Sequence, residues 1–319
     1  MSGNNLIRFL MTSRGVINLL SRGCDIIKRF GVAPDKMVSA LSQWNGLAKK
    51  MGVRATFPVT AVIIERYPTA IKRFQGNGMI YAVHGYKHID YSLLSKDEQR
   101  AHFSEARSIF KSNGIEFSGF RAPYTRWDAA TLEAIGELGF KWESSKTVLW
   151  EIEVKDYCNN PLRLKAYNKA VELYHPDSAD AQKVLPEARG SYIEIPVSLP
   201  DDEMLIDRLR LSSRQVEGIW LNILAQSYAR GELFVLQVHP ERIPLCKKAL
   251  EQVILGAKKR VPPVWVATLD EIADWWAGKS GSNVEIKHRW PFGARSCLSI
   301  TGDIDALTLG DFLLRAIGK

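Results

Sequence analysis

Four short segments carry residue types that could do chemistry. His84-Gly85-Tyr86-Lys87-His88 sets two imidazoles four residues apart. That spacing places both on one face of a helical turn, where they can grip one metal ion. Imidazole nitrogen suits zinc, and also cobalt and nickel. Asp303-Ile304-Asp305 sets two carboxylates two residues apart near the C-terminal end. Different environments can separate their pKa values, so that one binds metal while the other takes a proton. In Gly119-Phe120-Arg121-Ala122-Pro123-Tyr124, the arginine can clamp a carboxylate bidentately. The proline there stiffens the loop, so that a backbone N–H can point into a site. In Leu236-Gln237-Val238-His239-Pro240, His239 is a candidate proton donor. Each segment has a bland reading when taken alone: two unrelated polar histidines, a surface arginine beside a turn, or an Asp-rich helix cap.

The elements around these segments alternate. Strand-like runs occupy residues 54–60, 79–83, 115–120, 140–144, 192–197, 233–238, 264–267 and 297–301. Between them, residues 34–50 repeat apolar side chains at helical spacing through Met37, Val38, Leu41, Trp44 and Leu47. Ser95 and Glu98 form a capping-box pattern that opens a helix running to about Lys111. Asp128 is placed to cap a helix over 129–138, and 205–230 and 245–259 read as further helices. Strands alternating with helices predict an α/β fold with a mainly parallel sheet, and about eight strands in series predict a barrel. In such barrels catalytic groups gather at the C-terminal ends of strands. The four segments lie at such ends.

Composition narrows the classes. The 319 residues are 46% hydrophobic and 24% charged, ordinary for a globular chain with a sizeable core. Cys24, Cys158, Cys246 and Cys297 are scattered without a C-x-x-C pair. That predicts free buried thiols rather than a zinc–thiolate cluster or a disulfide framework. No apolar run reaches the roughly 18 residues of a membrane span, and no signal-peptide cleavage pattern opens the chain. A cytoplasmic protein is expected. The net charge is +8. Arg8, Arg14, Arg22, Lys28 and Arg29 face only Asp25 in the first thirty residues, with apolar residues between them. That segment reads either as an amphipathic helix docked on the core or as a peripheral contact with an anionic membrane surface. Its basic residues do not interleave with aromatics, which argues against nucleic-acid binding.

Taken in order, the segments resemble the polysaccharide deacetylases, the NodB-homology proteins of carbohydrate esterase family 4. Ala55-Thr56-Phe57 matches that family's A-T-F strand, His84 and His88 its H-x-x-x-H, Arg121-Ala122-Pro123-Tyr124 its R-x-P-[YF], and Leu236 with His239 its L-x-x-H. The resemblance runs from residue 35 to about 275. It implies a distorted (β/α)7-8 barrel. The family's Asp motif should precede the helix at 34–50. Here it follows at Asp303 and Asp305, which predicts a circularly permuted barrel. The implied division is a basic segment over 1–33, a barrel over 34–279, and a tail over 280–319 supplying the first strand. A second reading has the tail of one subunit completing its neighbour's site in a homo-oligomer. Where the family often has Asp and Trp, this chain has Glu143 and Trp150, then an insertion to about residue 190. Asp201-Asp202 is read as lining the cleft or orienting His239.

The resemblance further implies a divalent metal held by Asp305, His84 and His88, with zinc first and cobalt or nickel as alternatives. It implies Asp303 as general base, Arg121 holding that base, the Tyr124 backbone N–H as oxyanion donor, and His239 as acid. The activity implied is removal of an acetyl group from an N-acetylated sugar or glycan precursor, lipid- or nucleotide-linked if the basic segment meets the inner membrane face. The alternatives are an allantoinase-like amide hydrolase acting on a non-sugar and a non-catalytic carbohydrate-binding relative.

Overall fold

The computed structural model describes residues 26–280, 289–316 and 318. Residues 1–25 of the expected basic segment at 1–33 therefore lie outside the described residues, Cys24 among them.

The first long helix, α1 (Asp35–Met51), carries Asp35 in its first turn and Lys49 and Lys50 in its last, each opposing the local helix-end charge. It stops at Gly52, whose φ of 56° is the left-handed cap that glycine adopts without strain. Its buried face holds Met37, Leu41, Trp44 and Leu47, as the periodicity predicts. The predicted capping box opens α2 (Lys96–Ser112), with Ser95 and Glu98 each bonding the other's backbone. Asp128 caps α3 (Ala129–Glu137) in the same way. Four longer helices follow: α4 (Pro161–Tyr174), α5 (Ser213–Arg230), α6 (Ile243–Lys258) and α7 (Leu269–Ser280). A short helix, α8 (Leu309–Ala316), comes last.

The helix expected over 205–230 is broken. Glu203–Arg208 forms one wide turn, Arg210 takes a φ of 58°, and Ser212 then caps a fresh start. A left-handed arginine cannot continue a helix, and nothing in the apolar spacing marks it.

The strands are β1 (Ala55–Val59), β2 (Met79–Val83), β3 (Gly119–Phe120), β4 (Trp142–Glu143), β5 (Thr147–Leu149), β6 (Asp177–Ser178), β7 (Glu187–Arg189), β8 (Tyr192–Glu194), β9 (Val197–Leu199), β10 (Leu233–Gln237), β11 (Val264–Val266) and β12 (Ser296–Thr301). The run expected over 115–120 contracts to β3. All pairings are parallel except β7 with β8. β4 and β5 are one strand interrupted at 144–146, and β8 and β9 one interrupted at 195–196. β4 pairs with β8, β5 with β9, and β9 with β10. Counted so, the ladder β12-β1-β2-β3-β4/5-β8/9-β10 returns to β12 and closes a curled, barrel-like sheet.

The last strand is central. β12 lies between β1 and β10, and all six of its residues are buried. Leu298 and Ile300 are among them, and each such side chain contributes roughly 1.5–3 kcal/mol on burial. The tail thus completes the sheet of its own chain. Cys158, Cys246 and Cys297 are buried free thiols, as expected.

Candidate active site

The sheet brings the four segments together at the C-terminal ends of β2, β3, β10 and β12. His84 N–H bonds the Val59 carbonyl, Arg121 N–H that of Val83, and Ile304 N–H that of Pro58. Each residue is thereby fixed by the strand next to its own. Gly302 has to be glycine: a β-carbon there would stand 1.9 Å from the Val238 carbonyl oxygen.

Asp303 is held at both oxygens. Arg121 Nη1 donates to Oδ1 at 3.1 Å and Gln237 Nε2 to Oδ2 at 2.9 Å. Burial alone would raise this carboxyl, but the coulombic pull of His84 when it is protonated, and of Arg121 and His239, holds it below the usual carboxylate range. Arg121 has no freedom of its own. Its Nε donates to the Ser144 carbonyl at 2.8 Å, Nη2 to Ser144 Oγ at 3.0 Å, and Nη1 also to Thr301 Oγ1 at 3.1 Å. The result is an ionised carboxylate locked in one orientation.

His84 faces it. Its Nδ1 lies 2.9 Å from the Arg121 carbonyl oxygen, which assigns the proton to Nδ1 and leaves the Nε2 lone pair turned inward. That Nε2 is buried without a hydrogen-bond partner, 3.7 Å from Asp303 Oδ2. His88 lies beside it, ring centroids 5.2 Å apart, with Nε2 3.2 Å from Asp305 Oδ2. Burial lowers both imidazoles, His88 well below its ordinary value, so both are neutral. Neutral imidazole is the metal-binding form, and an orphaned buried nitrogen needs such a partner. A tetrahedral zinc with ligands about 2.1 Å away spaces those ligands roughly 3.4 Å apart, close to the His88–Asp305 separation. The His88–Asp305 pair therefore has the spacing that a divalent cation needs, and the open His84 nitrogen has the chemistry. Asp305 also pairs with Arg315 of α8.

The opposite wall pairs its cations with carboxylates. Asp202 accepts from His239 Nδ1–H at 2.7 Å and from its backbone N–H at 2.8 Å. Burial disfavours the imidazolium, but the Asp202 carboxylate outweighs it and pushes His239 up to about 10. Arg242 stands 3.8 Å from Asp202 and bonds Asp207 at 2.8 Å, and Arg29 bonds the same Asp207 at 2.9 Å. Ligand atoms of Asp201, Asp202 and His239 lie within 4.8 Å of one another. As a cation cage this trio fits less well, because His239 is itself the cation that Asp202 holds. Asp201, buried beside Asp202, is pushed up to about 7.

Tyr124 takes φ 57° and ψ 12°, and Thr125 a φ of 52°. Two consecutive left-handed non-glycine residues store roughly 1–3 kcal/mol each and mark a loop held for a purpose. The Tyr124 ring packs edge-on against His88, centroids 4.3 Å apart. His88, Tyr124, Gln237, His239, Asp303 and Asp305 all line one cleft of about 160 Å³.

All the site residues expected from the sequence thus converge: His84, His88, Arg121, Tyr124, His239, Asp303 and Asp305. Of the two uses offered for Asp202, the structure shows the bond to His239. Gln237, Ser144, Arg242, Asp207 and Arg315 went unnoticed. Glu143, which departs from the family pattern, is buried. It bonds the Ser145 N–H at 2.9 Å and is pushed up to about 7 by burial and by Glu194.

Residues 37–142 match the family model for polysaccharide deacetylase. The peptidoglycan deacetylase-like protein FGM2 of Gibberella zeae is 23% identical over 252 residues, covering 72% of this chain and 70% of that protein. Among solved structures, one assigned as a polysaccharide deacetylase from Mycobacterium smegmatis aligns at TM-score 0.58 and 20% identity, over 79% of this chain and 81% of its own. Puue allantoinase aligns at TM-score 0.58 and 20% identity, over 76% and 74%. The fold is that of these barrel-type structures. Over residues 37–142 the chain is similar to the polysaccharide deacetylases. The matched span contains His84, His88, Arg121 and Tyr124; His239, Asp303 and Asp305 fall beyond it.

Proposed function

We propose that this protein is a metal-dependent deacetylase that removes an acetyl or similar acyl group from an N-acetylated sugar or glycan precursor. The observation that carries the reading is the pairing of a locked, ionised Asp303 with the unpartnered inward nitrogen of His84. His84, His88 and Asp305 would hold one divalent cation, zinc first and cobalt or nickel as alternatives. When bound, that cation would supply Lewis acidity to the acyl oxygen and to a water.

The chain's own residues do the rest. Asp303 takes the proton from the attacking water, with Arg121 and Gln237 holding its carboxylate in line. The Tyr124 backbone N–H donates to the oxygen that gains charge as the acyl carbon becomes tetrahedral. His239, charged through Asp202, donates its proton to the nitrogen as the C–N bond breaks. The products are a free amine and acetate. The strand β12 stands in for a first barrel strand, which supports reading the chain as circularly permuted.

Acetate release from N-acetylated oligosaccharides, with and without a chelator, tests the reading. Release that stops on chelation and returns with zinc supports it, and no release from any N-acetylated glycan at saturating zinc counts against it. The equal alignment with Puue allantoinase supports a second reading, an amide hydrolase acting on a non-sugar; ureide turnover without acetate release would favour it. A non-catalytic carbohydrate-binding role would show as glycan binding without either product.

For location, we propose a cytoplasmic protein that touches the inner membrane face through residues 1–30. Among the described residues no helix is long and apolar enough to cross a membrane. Liposome sedimentation with and without residues 1–30 checks this: equal binding by both forms would sink it.

A further inference from the structure

The Asp305 oxygen that faces His88 is already in use. Arg315 Nη1 donates to Asp305 Oδ2, and that same oxygen lies 3.2 Å from His88 Nε2. Oδ2 is the Asp305 oxygen placed for a divalent cation shared with His88, which would bind it at about 2.0–2.2 Å. The guanidinium and the metal would then stand next to each other on one partly buried carboxylate, where like charges repel with little screening. On one oxygen the two draw on the same lone pairs.

We infer that Arg315 and the metal compete for Asp305, so that metal loading releases Arg315 and loosens the last turn of the C-terminal helix. This rests on the metal reading of the site. The anchoring of α8 fits such an exchange. Its first turn is pinned independently, because Asp311 accepts the Leu307 and Thr308 N–H groups and bonds Arg66 at 3.0 Å. Phe312 packs on Phe30, ring centroids 5.5 Å apart. Past Phe312, Arg315 ties the helix to the site, and its guanidinium already lies 4.9 Å from the Phe312 ring. Once freed, it has a cation–π resting place on its own helix. The Asp motif and the arginine that answers it are ten residues apart, so the tail carries both halves of the exchange.

The test is a calorimetric zinc titration of the chelator-stripped full chain, wild type beside Arg315→Gln. Hydrogen exchange over 309–316 is followed in both. The inference predicts that Arg315→Gln binds zinc about tenfold more tightly, which is about 1.4 kcal/mol. It also predicts that zinc speeds exchange in the last turn of the wild-type helix and leaves that of the variant unchanged. Arg315→Lys, which keeps a cation but not the guanidinium geometry, should fall between the two and serves if Arg315→Gln does not fold. Equal or weaker zinc binding in Arg315→Gln would overturn the inference while leaving the metal site standing. A folded wild type that binds no zinc would remove both.

Discussion

The two walls of the cleft are built on opposite electrostatic plans. On one, His84 and His88 are neutral, and His84 Nε2 is buried with no partner. On the other, His239 is charged and every cation meets a carboxylate, through Asp202, Arg242, Asp207 and Arg29. The same residue type thus has two protonation states in one cleft. Between His84 and His239 the difference is set by whether a backbone carbonyl or an aspartate meets Nδ1. The first wall is left short of positive charge, and the second is preorganised to give up a proton. Asp303 stands between them, touching His84's nitrogen and drawing charge from Arg121.

Removing the group between the walls should have the largest effect. Asp303→Asn should lower acetate release by about 10³–10⁴-fold, the upper end of what a general base commonly contributes, because it also faces the reacting centre, while metal remains bound by elemental analysis. His84→Ala should lose the metal as well. On the charged wall, His239→Ala should cost about 10²–10⁴-fold in kcat. Asp202→Asn should act through the pH profile. With Asp202 in place His239 stays protonated up to about 10, so the alkaline limb of kcat lies near there. Without the carboxylate that limb should move down by several pH units. An unmoved limb would show that His239 is not the proton donor.

The same pair gives a stability signature. The folded value of His239 lies above its ordinary 6.5. Its stabilising contribution is therefore full below pH 6.5 and is lost as pH rises through about 10. Asp303 runs the other way: its value is lowered, so its contribution is present above 3.8 and is lost as pH falls. Urea midpoints across pH check both signs. A smaller and purely steric test is Gly302→Ala, whose methyl would meet the Val238 carbonyl. It should cost about 1–3 kcal/mol in the urea midpoint with the slope unchanged.

Much of this was legible in the sequence for a physical reason. Period and capping gave α1, α2 and α3, and strand ends gave the site, because parallel β/α architecture forces chemistry there. The contact between Asp303 and His84 joins residues far apart in the chain, and it was reachable only through the shared motif pattern. What escaped were side chains whose role depends on three-dimensional placement. Gln237 looks like an ordinary strand residue until β10 and β12 pair in register at Gln237 and Thr301. Arg315 looks like a solvent-facing helix residue until α8 folds back on Asp305. The break at Arg210 left no trace in apolar spacing, since a single left-handed residue interrupts a helix without changing its composition.

The central claim is that the neutral wall holds a metal. Metal content of the purified full chain, beside a folded His84→Ala variant, tests it most directly. The account predicts about one divalent ion per chain in the intact protein, as a single site of three protein ligands holds, and none in the variant. An intact, folded protein that takes up no divalent ion, or a His84→Ala variant that keeps it, would contradict the account.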